Sequence, residues 1–204
     1  MTQMFVSDRS RQTVAQEAAR IMVDHGISDF QVAKRKAAER LGLGRDGALP
    51  SNQEVEAALI EHQRLYHEGD HDASILSRRK TALSLMLELE HFEPRLVGPL
   101  LAGTAADDSP ANLHLFADSA EDIAWFLSDK GIQYRPFERR LKLRRNQSSG
   151  FPAYRFDWLQ LPIEATVFSY DGLRQAPLSP VDGKPMRRAS IKKLRKLIAP
   201  ADAA

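Results

Sequence analysis

Apolar side chains recur at helical spacing throughout the N-terminal part of this chain. Val14, Ala15, Ala18, Ala19 and Met22 form one stripe over residues 12–25, closed by Gly26. Ser28 stands three residues before Gln31, a capping-box spacing, and opens a second helix with Phe30, Ala33, Ala37 and Leu41 on one face. Gly42 and Gly44 close it. Pro50 and Ser51 followed by Glu54 mark a third start, and Val55, Ala58, Leu59, His62, Leu65 and Tyr66 line its face as far as Gly69. Residues 74–91 carry the longest stripe, with Ile75, Leu76, Ala82, Leu83, Met86 and Leu87 inward and Leu85 and Leu89 widening it. Pro94 stops it. Three or four helices are expected before the first strand.

The period then shortens. Residues 95–101 read as an apolar strand, followed by a glycine-bearing loop and a second strand over 112–117. Ser119 starts a helix through 130, with Ile123, Ala124, Phe126 and Leu127 for the core, ended by Gly131. Residues 132–145 read as a strand interrupted at Pro136, in which Leu141 and Leu143 alternate with Arg140, Lys142 and Arg144. Residues 146–150 read as a turn. Tyr154, Phe156 and Trp158 then alternate with Arg155 and Asp157, and residues 163–168 form a last strand. From 169 onward three prolines, Pro177, Pro180 and Pro185, predict an extended surface course, and Ser190 opens a short basic helix.

The expected fold class is therefore α+β: an N-terminal helical region (1–92) packed on a small mixed β-sheet (93–170), with an extended basic C-terminal arm and short helix (171–204). Composition agrees with an ordinary globular chain: 204 residues, 43% hydrophobic and 27% charged. The absence of cysteine excludes disulfides, thiolate metal sites and a cysteine nucleophile. No apolar run approaches membrane-spanning length, and residues 1–11 are too polar for a secretion signal. No membrane association and a cytoplasmic location are expected.

Gly98 lies in the first expected strand, Gly103 in the loop after it, and Ser109 precedes the second strand. This arrangement resembles the nucleotidyltransferase-fold superfamily, whose pattern is a Gly-Ser after a strand, a further Gly, then Ser-Asp-apolar-Asp. The resemblance implies a phosphate-binding loop at Gly98, Gly103 and Ser109. In the family, strand carboxylates hold two magnesium ions for phosphoryl transfer. Here Pro99 replaces the serine and offers neither hydroxyl nor N–H, while Pro110 and Asn112 replace the two aspartates. A two-residue slip puts Asn112 and His114 at the metal positions, on one strand face. The third family carboxylate matches Glu164, with Thr166 on its face.

Two readings of the catalytic candidates His114 and Glu164 stay open: a functional pair, or a bonded structural histidine and a glutamate facing solvent or an arginine. Standard two-metal transfer is not expected, and no metal ligand set is assigned. The expectation is a divergent nucleotidyltransferase-like protein that binds a phosphorylated ligand or a protein partner, with its cofactor unknown. One alternative is an atypical transferase using Asn112, His114 and Glu164. The other is a nucleic-acid binder, through a basic second helix (Lys34, Arg35, Lys36, Arg40) and the C-terminal arm.

Further basic candidates are Lys184, Arg187 and Arg188, assigned to phosphate, with Lys192, Lys193, Arg195 and Lys196 beyond them. Arg135, Arg139, Arg140, Lys142, Arg144 and Arg145 lie on or beside one strand; a net charge of only +2 argues for solvated residues as the simpler account. Tyr154 and Trp158 alternate as core residues, with base stacking as the other use of their rings. His67 and His71 have metal-ligand spacing, but Gly69 between them is expected to break the helix and leave a solvated loop.

Overall fold

The computed structural model describes residues 2–27, 29–43, 49–144 and 147–199; the side chains of 2–9 and 64–70 lie outside that description. The protein is α+β, and the chain divides into two units. The first comprises residues 1–71, 106–109 and 180–182, and the second 72–105, 110–179 and 183–204. No helix among the described residues is long and apolar enough to cross a membrane.

In the first unit, α1 (Thr2–Asp24) and α2 (Phe30–Arg40) pack with the start of α3 (Asn52–Glu88). Val14, Ala15, Ala18, Ala19, Ile21 and Met22 meet Ala33, Ala37, Val55 and Leu59 in a closed apolar core. The many alanines let the backbones approach closely. The cap of α2 is Asp29, whose carboxylate accepts from the N–H of Gln31 and Val32; the expected cap, Ser28, lies outside the described residues. At α3 the expected box is present: Ser51 N–H donates to Glu54 Oε2 at 2.7 Å and Glu54 N–H to Ser51 Oγ at 3.2 Å. Two of the four basic residues of α2 have internal partners. Lys34 is 5% exposed and donates to Pro50 O and Asn52 Oδ1, while Arg40 pairs with Glu17.

The helix α3 corrects the expected break at Gly69: it runs unbroken for 37 residues. A glycine inside a helix costs only about 1 kcal/mol relative to alanine, which its long flanking turns outweigh. The segment around His71 is therefore helix rather than loop. The side chain of His67 lies outside the described residues.

In the second unit a five-stranded sheet has the order β1-β2-β5-β4-β3. Its strands are β1 (Arg95–Val97), β2 (Ala111–Phe116), β3 (Tyr134–Arg144), β4 (Gln147–Trp158) and β5 (Leu161–Phe168). The β2–β5 pair is parallel and the others are antiparallel. Leu96, Leu113, Leu115, Ile163, Ala165, Tyr154 and Phe156 belong to a core with Leu85 and Met86 of α3, Leu89 just after it, and Ile123 and Leu127 of α5 (Ala120–Asp129). Each such leucine contributes roughly 1.5–3 kcal/mol by burial. Of the positions over 74–91 expected inward, Leu76 and Leu87 are exposed, and Leu85 and Leu89, expected only to widen the stripe, are fully buried.

Several strand boundaries differ from expectation. The first strand stops at Val97, because Gly98 takes φ +71° and Pro99 then suits the first turn of α4 (Gly98–Ala102). β3 is not interrupted at Pro136, which pairs with Tyr154 at the sheet edge. Lys142 turns its carbonyl outward to Leu178 N–H at 2.7 Å. Pro136, an even number of residues earlier, shares that orientation, so no ladder bond needs its missing N–H. Residues 147–150, expected as a turn, are the start of β4. Within the arm, Leu178 bridges to Pro185 and Ala189 to Leu96 of β1, so the arm is tied to both sheet edges. It ends in α6 (Ile191–Ile198), whose Leu194 is buried.

Candidate functional site

Alternation gives the sheet two unlike faces. One is the apolar face just described. The other carries Asn112, His114 and Phe116 from β2, Glu164, Thr166 and Phe168 from β5, Arg155 from β4 and Arg139 from β3. Register places Asn112 beside Glu164 and His114 beside Thr166 on neighbouring parallel strands. Both catalytic candidates from the sequence therefore lie on one face, and both are buried.

Glu164 is held by two guanidinium groups. Arg139 Nη2 donates to Oε2, and Arg155 donates to Oε1 through Nε at 2.9 Å and Nη2 at 2.5 Å. Arg139 also donates through Nη1 to Asn112 Oδ1 at 3.1 Å. Burial, and then the neighbouring Arg155, hold the Arg139 guanidinium below its ordinary range. Arg135 stands directly across the strand pair from Arg155, a like-charge arrangement that costs stability by itself. Phe137, half-buried on this face, lies against Arg155, with 4.8 Å from guanidinium to ring centre.

At the other end of the face, Arg188 reaches in from the arm. Its Nε donates to His114 Nδ1 at 3.1 Å and its Nη1 to Gly172 O at 2.6 Å. The guanidinium lies 5.1 Å from the Phe116 ring centre and 5.4 Å from that of Phe168. Burial, then repulsion from Arg188 and Arg139, push His114 down to about 3. Burial, then Arg95, lower Arg188 to about 10, which leaves it cationic at neutral pH. His114 is thus neutral, with its acceptor nitrogen already engaged and its proton on Nε2.

The glycine and serine candidates have structural roles. Gly98 adjoins Asn112: a Cβ added there would stand 3.5 Å from Asn112 Nδ2. Gly103, at φ +89°, caps α4 with its N–H on Pro99 O, and Arg79 covers the carbonyls of Leu100 and Leu101. Ser109, in the first unit, closes a turn through Oγ on Ala106 O at 2.7 Å. Lys184 and Arg187 are exposed on the arm. Tyr154 and Trp158 are core residues, bonded to Ala120 O and Ser84 Oγ.

Sequence reasoning missed the convergence of Arg139, Arg155 and Arg188 on His114 and Glu164. The alternation around Arg155 was a signal for its face, though not for its partner. Among the described residues no group of three or more His, Asp or Glu side chains is arranged to hold a metal ion. No protein-family model, curated protein or solved structure matches the chain.

Proposed function

We propose that the polar face of the sheet binds a phosphorylated ligand of nucleotide class without a metal ion, on a divergent nucleotidyltransferase-like scaffold that does not carry out two-metal transfer. The observation that carries this reading is the state of Glu164. Both of its oxygens already accept from guanidinium groups, and Arg135, Arg139, Arg155 and Arg188 leave the face with an excess of positive charge. A second cation is repelled there, and an anion is attracted. Arg139 and Arg155 each carry five N–H groups, more than their bonds to Glu164 and Asn112 use, and a guanidinium suits phosphate oxygens. The half-buried rings of Phe137 and Phe151 supply apolar surface for a base.

Two features support kinship with the nucleotidyltransferase fold. Strand β2 lies between β1 and β5, and Asn112 on it adjoins Gly98 on one side and Glu164 on the other. His114, at about 3, is poorly matched to general-base work near neutral pH.

The test is a thermal-shift screen of nucleoside mono-, di- and triphosphates with and without magnesium or manganese. A ligand that binds only the native state raises the midpoint by mass action. The expected result is a metal-independent shift that Arg139→Ala removes. A shift that needs both nucleotide and metal would favour an active transferase instead, and no shift with any nucleotide would end the reading.

A further inference from the structure

The β3–β4 hairpin outgrows the sheet. Only 153–158 of β4 pair with β5, whereas 147–152 pair with β3 alone. The outer half, residues 138–144 and 147–152, is a two-stranded ribbon about 20 Å long at a rise near 3.4 Å per residue. It carries Arg139, Arg140, Lys142 and Arg144 against one acid, Glu138. Arg139 is engaged with Glu164 and Asn112, but Arg140, Lys142 and Arg144 are exposed and have no ion pair among the described residues.

Three features separate this ribbon from an ordinary solvated surface. Arg140 and Lys142 share one ribbon face, and the residues opposite them, Gly150 and Ser148, bring no large side chain of their own. The ladder shifts register between Lys142 and Arg144, and such a bulge re-aims the side chain that follows it. The ribbon is also braced, since Leu178 N–H donates to Lys142 O and Leu178 bridges in turn to Pro185. Arg187, exposed and without an ion pair among the described residues, follows two residues beyond that bridge. One acid, Glu138, stands beside Arg140, with its carboxyl leaning over Gly150.

We infer that this ribbon is a docking surface for the phosphodiester backbone of a nucleic acid, separate from the phosphate seat around Glu164. A two-stranded ribbon fits the major groove of a duplex, about 12 Å wide. Unpaired arginine and lysine side chains along it neutralise phosphates and release counterions. A lipid surface is the weaker fit, because Leu141 is half-buried and no described ribbon residue exposes a large apolar side chain.

The experiment is fluorescence anisotropy of the full chain with labelled single- and double-stranded DNA and RNA oligonucleotides, repeated between about 50 and 200 mM salt. The triple variant Arg140→Gln/Lys142→Gln/Arg144→Gln runs alongside, its fold checked by circular dichroism and its melting midpoint. Binding is expected to at least one of these probes, with affinity falling steeply as salt rises. The triple variant should flatten the slope of log K against log salt by about 2 to 3, at roughly 0.7 to 0.9 per lost phosphate contact. Glu138→Gln should tighten binding. The four probes separate DNA from RNA. The inference is overturned if no probe binds, if the triple variant binds like the wild type, or if anionic vesicles of phosphatidylserine and phosphatidylcholine are bound in preference. Because the triple variant leaves Arg139 and Arg155 intact, its nucleotide thermal shift reports on the Glu164 face independently.

Discussion

Arg188 donates through Nε to Nδ1 of His114 at 3.1 Å, joining residues 74 positions apart in the chain. That bond fixes the tautomer of a buried imidazole and lays a cation over two phenylalanine rings. The arm is thereby part of the sheet's polar face.

Arg188→Ala removes both effects. The loss of a charge-assisted hydrogen bond to a buried acceptor is expected to cost about 1–3 kcal/mol in urea unfolding. The imidazole of His114 should titrate at higher pH in the variant, because one of the two cations opposing its protonation is gone. Its NMR titration checks this.

The depressed value of His114 also gives an acid-side prediction. In the unfolded chain the imidazole takes a proton near pH 6.5, and in the fold only near about 3. Between those values the unfolded state binds the extra proton, so stability falls as pH falls, by up to about 1.4 kcal/mol per unit. Urea melts between about pH 5 and 6.5, above the main carboxylate range, isolate this contribution. His114→Gln should lose the slope there.

Glu164 is expected to behave oppositely in stability and in binding. Glu164→Ala leaves Arg139 partly buried without its acid, and should cost about 3 kcal/mol. Glu164→Gln keeps an acceptor but removes the negative charge, so metal-free binding of ATP or inorganic phosphate should tighten, measured by calorimetry. Weaker binding in Glu164→Gln would argue that the carboxylate serves a cation after all.

The tight turn from β4 to β5 offers a stabilising change. Leu159 and Gln160 both take positive φ, +47° and +67°, although neither is glycine. Leu159 is 73% exposed, so its side chain contributes little by burial. The double change Leu159→Asn and Gln160→Gly should relieve the turn and stabilise the fold by about 1 kcal/mol or more, read from the melting midpoint.

A further backbone prediction concerns Gly98. Its φ of +71° is costly for any residue with a Cβ, although that Cβ would meet Asn112 only in ordinary van der Waals contact. Gly98→Ala should destabilise the protein by about 1 kcal/mol. Differential scanning calorimetry measures it directly.

The sequence by itself determined what depends on near neighbours along the chain. The Ser51–Glu54 box, the helix start at Ser119 and the stripe of α1 follow from interactions within a few residues, and they stand as read. Alternation likewise put Asn112 and His114 on one face of their strand and Glu164 and Thr166 on one face of theirs. What only the tertiary structure decided is partnership. Strands β2 and β5 are separated by a helix and a hairpin, yet they lie parallel with Asn112 beside Glu164. Arg139, Arg155 and Arg188 come from β3, β4 and the arm to surround the pair. Gly69 remains helical because a local preference of about 1 kcal/mol yields when the surrounding structure favours the other outcome. Periodicity states which side chains share a face, but which faces meet is set by packing and chain closure across the whole domain.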